Sequence, residues 1–245
     1  LQSPLSCPSG LCLGAWYDTN TSTHRKQTGQ KIKLSYALND WLIGIQTQHN
    51  SAIRLSNSYQ TSNGIALGGT LRYVPQGQTW YTEISTAYDN QPVHLLRSPL
   101  TNTETTQADT VIHSHAYSLT AGQMLTNWHW YGSLSHNVIK QTGYQEQGAA
   151  FNFDIADSKY QATALTIGIE RRHPLSNQWT ISAGGKATYD LTQHPISHYA
   201  SNPYFGSIQN NITPNRNHAI IHASIAYAPT PFAHIRLTPY TGNLG

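Results

Sequence analysis

From Trp179 to Leu191 the chain alternates with a period of two. Trp179, Ile181, Ala183, Gly185, Ala187, Tyr189 and Leu191 fall on one face; Thr180, Ser182, Gly184, Lys186, Thr188 and Asp190 fall on the other. Successive side chains of a strand point to opposite sides, so this is a strand with one apolar and one wet face. It is longer than the usual ~5–6 residues and reaches the ~9–11 that a tilted strand needs to cross a bilayer. Trp179 and Tyr189 stand near the two ends of the apolar face, where a spanning strand meets the two interfaces. The preceding stretch from Ala162 shows Leu165, Ile167 and Ile169 against Ala164, Thr166, Gly168 and Glu170, and the tight turn His173–Asn177 joins the two.

The same pattern recurs along the chain. Strands are predicted over Leu11–Thr19, Ile32–Leu38, Trp41–Gln48, Ile65–Tyr73, Trp80–Tyr88, Ala116–Gly122, Trp128–Ser135, the pair just described, Ile221–Tyr227 and Ala233–Thr238. Short connections such as Asn39-Asp40, Val74–Gln78, Leu125–Asn127 and Ala228–Pro231 alternate with long polar stretches. The long ones are Asn20–Gly29, Asn50–Asn63, Asn90–Thr110, Val138–Lys159 and Thr192–Asn217. Short turns at one end and long loops at the other mark bacterial outer-membrane barrels, whose turns are periplasmic and loops extracellular. The apolar faces are read as free of charge, whereas Lys33, Arg72, Glu83, Glu170, Lys186, Asp190 and Arg236 fall on the polar face. A charge facing lipid at mid-membrane costs roughly 2–4 kcal/mol, and one facing a lumen does not. Trp41, Tyr73, Trp80, Tyr88, Trp128, Trp130, Trp179, Tyr189 and Tyr227 are the candidate aromatic girdle.

Composition points the same way. Charged residues make up 10% of the 245, against ~25% in an ordinary soluble domain, yet mean hydropathy is negative. Ser, Thr, Asn, Gln and His fill the gap. No apolar run approaches the ~18 residues of a membrane helix. The net charge of +3 is small and its basic residues are scattered, which leaves no nucleic-acid footprint. Cys7 and Cys12 flank a Pro-Ser-Gly turn and form a candidate disulfide in an oxidising compartment; a pair of free thiols is the alternative. Neither a zinc site nor a cofactor motif follows from the spacings. No signal-peptide pattern precedes Leu1, so the chain is either mature or a segment of something longer.

These readings converge on an all-β fold: an antiparallel, transmembrane up-and-down β-barrel. It is one domain over residues 1–245, with residues 1–9 as an entry segment. Eleven strands are readable, and bacterial single-chain barrels have an even number. A twelve-stranded type is therefore expected, because an open edge in lipid leaves backbone groups unpaired; either the sequence stops just before its closing strand or the count is one short.

The succession of motifs resembles the translocator domain of type Va autotransporters of Gram-negative bacteria. Arg172-His173-Pro174-Leu175-Ser176 is followed by an aromatic-led strand with Ala183-Gly184-Gly185 that ends in Tyr189-Asp190-Leu191. A long loop then leads through Arg216-Asn217-His218 to a strand ending Ala226-Tyr227. Earlier, Leu71-Arg72-Tyr73 precedes a turn and Ala87-Tyr88-Asp89 follows it. The layout is most similar to barrels that follow serine-protease passengers. Two features of the family are not seen, the closing strand with its terminal aromatic residue and a lumen-plugging helix before the first strand. The resemblance implies an integral outer-membrane protein with its long loops outside the cell. A barrel of this kind is inserted by the barrel assembly machinery, and a covalently linked N-terminal passenger crosses to the surface. It implies no catalysis by the barrel and no cofactor.

Physically, a lumen lined by Ser, Thr, Gly and a few charges suits a polypeptide in transit. The seven lumen charges either hold such a linker or pair among themselves. Gly68, Gly122, Gly168 and Gly184 either widen the lumen or serve curvature and aromatic packing. Three rivals remain. A stand-alone pore or adhesin barrel differs mainly in what precedes the first strand. An outer-membrane phospholipase needs a Ser–His pair within reach, but Ser135-His136 and Ser197-His198 are sequence neighbours that point to opposite faces. A soluble lipocalin-like binder is the third.

Overall fold

The computed structural model of the chain describes residues 10–22, 25–50, 53–56, 59–97, 105–148, 151–194, 196–204, 206–212, 217–230, 233–237 and 240–242. All regular structure among the described residues is β-strand, and no helix there is long and apolar enough to cross a membrane. In chain order the strands are β1 (Gly10–Ser22), β2 (Arg25–Leu38), β3 (Trp41–Asn50), β4 (Ile53–Ser56), β5 (Tyr59–Thr61), β6 (Gly64–Tyr73), β7 (Trp80–Arg97), β8 (Thr106–Met124) and β9 (Trp128–Gln141). There follow β10 (Tyr144–Gln145), β11 (Asp154–Ile155), β12 (Ser158–Pro174), β13 (Trp179–His194), β14 (Ile196–Asn202), β15 (Gly206–Ile212), β16 (Asn217–Thr230), β17 (Ala233–Leu237) and β18 (Tyr240–Gly242).

One antiparallel sheet runs in the order β1-β2-β3-β6-β7-β8-β9-β12-β13-β16-β17. These eleven members are the eleven alternating stretches of the sequence, each paired with its chain neighbour in an up-and-down path. β18 also pairs with β16, through Ile220↔Gly242 and His222↔Tyr240. The short connections close tightly. Asn39 takes a left-handed φ of 51°, as a two-residue hairpin turn requires. Asp40 then accepts Val74 N–H on its carbonyl at 2.7 Å and Gln76 N–H on its carboxylate at 3.0 Å, tying adjacent turns together. The β12–β13 turn lies at residues 175–178, starting two residues later and ending one later than the expected His173–Asn177; Leu175 N–H donates to the carbonyl of Trp179 at 2.8 Å.

The long polar stretches are not loops in the main. β7 and β8 run 18 and 19 residues and stay paired out to Arg97↔Thr106, so most of Asn90–Thr110 is strand. Asn50–Asn63 holds the β4–β5 hairpin, whose second strand pairs with β7. Val138–Lys159 and Thr192–Asn217 together supply a separate four-stranded sheet, β10-β11-β14-β15. Sequence alternation fades there because no apolar face is needed beyond the bilayer, while backbone pairing costs nothing in side-chain pattern.

Exposure is inverted relative to a soluble sandwich. On the apolar face Ile43 is 49%, Ile84 60%, Ile167 63% and Ile221 67% exposed, whereas on the polar face Ser35 is 1%, Thr120 3% and Ser182 8% exposed. A sheet that buries its hydroxyls and presents its isoleucines has water inside and hydrocarbon outside. One residue departs from the expected charge-free apolar face. Arg171 lies on the same side as Ile167 and Ile169, opposite Trp128 and Ala183 in register, near the short-turn end.

Candidate functional site

The polar face is a continuous hydrogen-bonded surface. Serine and threonine hydroxyls pair across neighbouring strands: Ser85 with Ser118 at 2.7 Å, Thr120 with Ser133 at 2.9 Å, Thr166 with Thr188 at 2.9 Å and Ser182 with Ser224 at 2.6 Å. Each bridge pairs two hydroxyls that are partly or wholly shielded from water. Short side chains at these rungs leave the space in front of the sheet open.

Toward the short-turn end the same face carries a charged and aromatic belt. Arg72 on β6 donates from Nε to Glu83 Oε2 on β7 at 2.7 Å, and its Nη2 lies 2.6 Å from the same oxygen. The guanidinium also sits over the Tyr81 ring, 4.7 Å from its centroid. Lys33 joins them around a small cavity with Ser35, Gly44 and Thr70. The Tyr81 hydroxyl bonds His129 Nε2 at 2.9 Å, and the His129 ring stacks on Tyr131 at 5.4 Å. Further round, Glu170 accepts Arg172 Nε at 2.6 Å and faces His222 Nε2 at 3.4 Å.

Glycines hold this belt flat against the wall. A Cβ on Gly122 would lie 2.8 Å from the Tyr81 hydroxyl and 2.7 Å from the Trp130 carbonyl; one on Gly168 would meet the Tyr131 ring and lie 2.6 Å from its hydroxyl. At Gly184 it would lie 2.5 Å from the Ile169 carbonyl and 3.0 Å from the His222 ring. The aromatic rings occupy the missing side chains' places, so at these three rungs the packing reading of the glycines is the one the geometry carries. Gly68 differs, with Gln46 lying over it.

Of the seven candidate lumen charges, Arg72 and Glu83 pair with each other. Glu170 pairs with Arg172 and His222, neither of which the sequence reading had included. Asp190 is on the polar face and 6% exposed. Lys33 is half-buried, and Lys186 lies on the polar face but is exposed. The side chain of Arg236 lies outside the described residues. Tyr81, His129 and Tyr131 were missed as site residues. The signal available was an aromatic residue on a polar face, with a glycine directly opposite it in register on the next strand for Tyr81 and Tyr131.

The candidate girdle resolves into two rows. Near the short turns Trp41 packs on Tyr73 at 4.8 Å, Tyr73 on Trp80 at 6.0 Å, and Trp179 on Tyr227 at 4.5 Å. Trp128 carries the Arg171 guanidinium at 5.3 Å, and Trp130 Nε1 donates to Gln123 at 3.2 Å. At the far end stand Tyr88, against His115 at 4.8 Å, and Tyr189, with Tyr117 as a further member not singled out from the sequence. Of the two cysteines, Cys12 is disulfide-bonded; Cys7 lies outside the described residues. Ser135 and His136 make separate contacts, to the Ala164 carbonyl at 3.4 Å and to Thr163 at 3.0 Å. Ser197 donates to Asn211 at 2.8 Å. No group of three or more metal-ligating side chains occurs among the described residues.

No family model matches the chain, and no curated protein does. Solved structures do match. The translocator domain of the autotransporter NalP from Neisseria meningitidis superposes with a TM-score of 0.65 at 14% identity, over 96% of this chain and 87% of that one. The chain has the fold of an autotransporter translocator barrel. The beta domain of the Bordetella autotransporter BrkA aligns over 95% of this chain and 97% of its own, with a TM-score of 0.50 and 12% identity. A mutant of the monoaromatic hydrocarbon channel TodX also superposes, at a TM-score of 0.55 and 12% identity, over 89% of this chain and 69% of the channel.

The long-loop end of this translocator-type barrel is built, not ragged. Arg97 at the tip of β7 clasps Glu146 through two bonds, Nε to Oε1 at 2.8 Å and Nη2 to Oε2 at 2.5 Å. The same guanidinium donates to the Phe151 carbonyl at 3.3 Å and lies over the Phe153 ring at 5.2 Å. The Glu146 carboxylate also accepts Phe153 N–H at 3.1 Å. Its hydrogen bond to Arg97 holds that guanidinium above its ordinary pKa. Buried Asn202 donates to the Asn152 carbonyl at 2.5 Å, which fastens the segment to β14.

Proposed function

We propose that residues 1–245 form a single outer-membrane barrel domain that acts as the translocator of an autotransporter. The short turns then face the periplasm and the β10-β11-β14-β15 platform faces the outside. A passenger N-terminal to the domain crosses through the lumen, and the barrel assembly machinery inserts the protein. The observation that carries the reading is the match to the NalP translocator domain over 96% of the chain. The polar face supports it. Several of its charges are met by other side chains of the wall, with Arg72 on Glu83 and Glu170 between Arg172 and His222, and between them the lumen offers hydroxyls and aromatic edges to a moving chain. The reading gives the barrel no catalytic step, and nothing in the wall bears on the class of passenger.

The test is surface display. With an epitope tag placed ahead of Leu1 and the protein made in a Gram-negative host, the tag should become accessible to antibody and added protease on intact cells. If the barrel is folded and inserted but the tag stays protected, translocation is refuted. The structural likeness to the TodX channel then favours a stand-alone pore, which would show as conductance in a planar bilayer.

A further inference from the structure

The apolar face is not uniform. Where β12, β13 and β16 run side by side, a groove of about 720 Å³ opens between Ile181 and Ile225 on one side and Arg171 and His173 on the other. Its floor is the register pair Ala183↔Ala223, two side chains of a single carbon each. The volume falls in the ~300–1,000 Å³ range of small-molecule sites. Ser182 and Ser224 also border it, but their hydroxyls, bonded to each other at 2.6 Å, belong to the polar face. Beyond that pair the groove presents an apolar body with a cationic end.

Arg171 supplies that end. It is directly opposite Ala183 in register and exposed, and its guanidinium rests on the Trp128 ring. No carboxylate among the described residues lies within ion-pair distance of it. His173, exposed and paired with Ile181, stands two residues nearer the turn. Three residues separate Arg171 from the strand end at Pro174, about 10 Å at ~3.3 Å per residue. The charge thus lies beside Trp128, with the Trp179–Tyr227 pair four residues nearer the turn on β13 and β16, where a long cationic side chain snorkels toward head groups. Arg171, Ala183 and Ala223 share one rung, and His173, Ile181 and Ile225 share a rung nearer the turn, so the groove runs across the strands with its cationic end on β12 and its alanine floor on β13 and β16. The polarity of the groove is that of an amphiphile, anion-seeking on β12 and apolar on β13 and β16.

We propose that this groove binds one phospholipid of the leaflet at the short-turn end, its phosphate on Arg171 and His173 and an acyl chain over Ala183 and Ala223. The inference rests on the membrane-barrel reading. Planar guanidinium with an adjacent ring donor suits a phosphate diester, and a bare anion would have no use for the apolar floor.

The test is native mass spectrometry of the full chain refolded in dodecyl maltoside and titrated with 1-palmitoyl-2-oleoyl-phosphatidylglycerol. The wild-type protein should retain one lipid. Arg171→Gln should weaken it roughly tenfold, the size of one lost charge-assisted contact. Ala183→Phe, which fills the floor, should weaken it at least as much, with Ala223→Phe as the second blocking variant. Lys159→Gln, a charge removed at the opposite end, should leave binding unchanged. Heat-modifiable mobility on gels reports folding of each variant. Wild-type binding in both the Arg171 and the floor variants overturns the proposal. So does an effect of Arg171→Gln alone, or displacement of the lipid by excess inorganic phosphate, since either reduces the site to a surface charge. If the wild-type chain does not insert into vesicles of the same lipid, the membrane reading itself fails.

Discussion

Replacing Gly168 by alanine tests whether the belt rings are seated on bare backbone. The added carbon would lie against the Tyr131 ring and 2.6 Å from its hydroxyl oxygen. Tyr131 is 9% exposed, stacks on His129, and cannot swing without disturbing the His129–Tyr81 bond. Overpacking of this kind costs about 1–3 kcal/mol, offset by about 0.5–1 kcal/mol because alanine loses less backbone freedom than glycine. A net destabilisation of roughly 1 kcal/mol is expected. With a urea slope of about 2 kcal/mol/M, the unfolding midpoint should fall by roughly half a molar. The assay is urea unfolding of the refolded barrel in detergent, followed by tryptophan fluorescence. The decisive arm is the cycle with Tyr131→Ala. Alanine at 168 should be neutral or stabilising once the ring is gone, giving a coupling energy near the full cost of the clash. A Gly168→Ala protein of wild-type stability, or equal effects of that change with and without the Tyr131 ring, would refute the packing argument.

The remaining expectations address other parts of the wall. Ile167→Lys on the apolar face should cost roughly 2–4 kcal/mol, while Thr166→Lys, one residue away on the polar face, should cost much less; the difference in urea midpoint checks which side meets lipid. Ser182→Ala removes the buried bond to the Ser224 hydroxyl and should cost about 0.5–1.5 kcal/mol, and Ser182→Ala/Ser224→Ala should cost less than the sum of the two single changes in the same measurement. Arg97→Ala leaves Glu146, 7% exposed, without its cation. Hydrogen exchange across 144–155 should accelerate by tenfold or more, with the barrel's own unfolding midpoint unmoved.

The ladder was legible in the chain because lipid enforces a strict rule. Every second residue between two interfaces must be apolar, and Trp179 to Leu191 keeps that rule for thirteen positions. The eleven strands and their order followed from it. Where lipid stops, the rule stops. Asn90 to Arg97 is as firmly paired as Trp80 to Tyr88, yet QPVHLLR has no one-sided pattern to announce it. The β14–β15 hairpin and its sheet were hidden for the same reason, since backbone hydrogen bonds leave no trace in composition.

The polar face was legible only as a list. Alternation placed Arg72, Glu83 and Glu170 on one side, but partners are chosen by register and strand stagger, which a pattern of period two does not encode. Arg172 is the instructive case. Two arginines stand side by side, and parity sends Arg171 to the apolar face and Arg172 to Glu170. A lipid-facing arginine survives only near a strand end, where it can reach an anion or the interface. Arg171 stands three residues from the end of β12, on a tryptophan and beside an alanine floor. The position that breaks the alternation rule is therefore the one that most directly suggests a ligand.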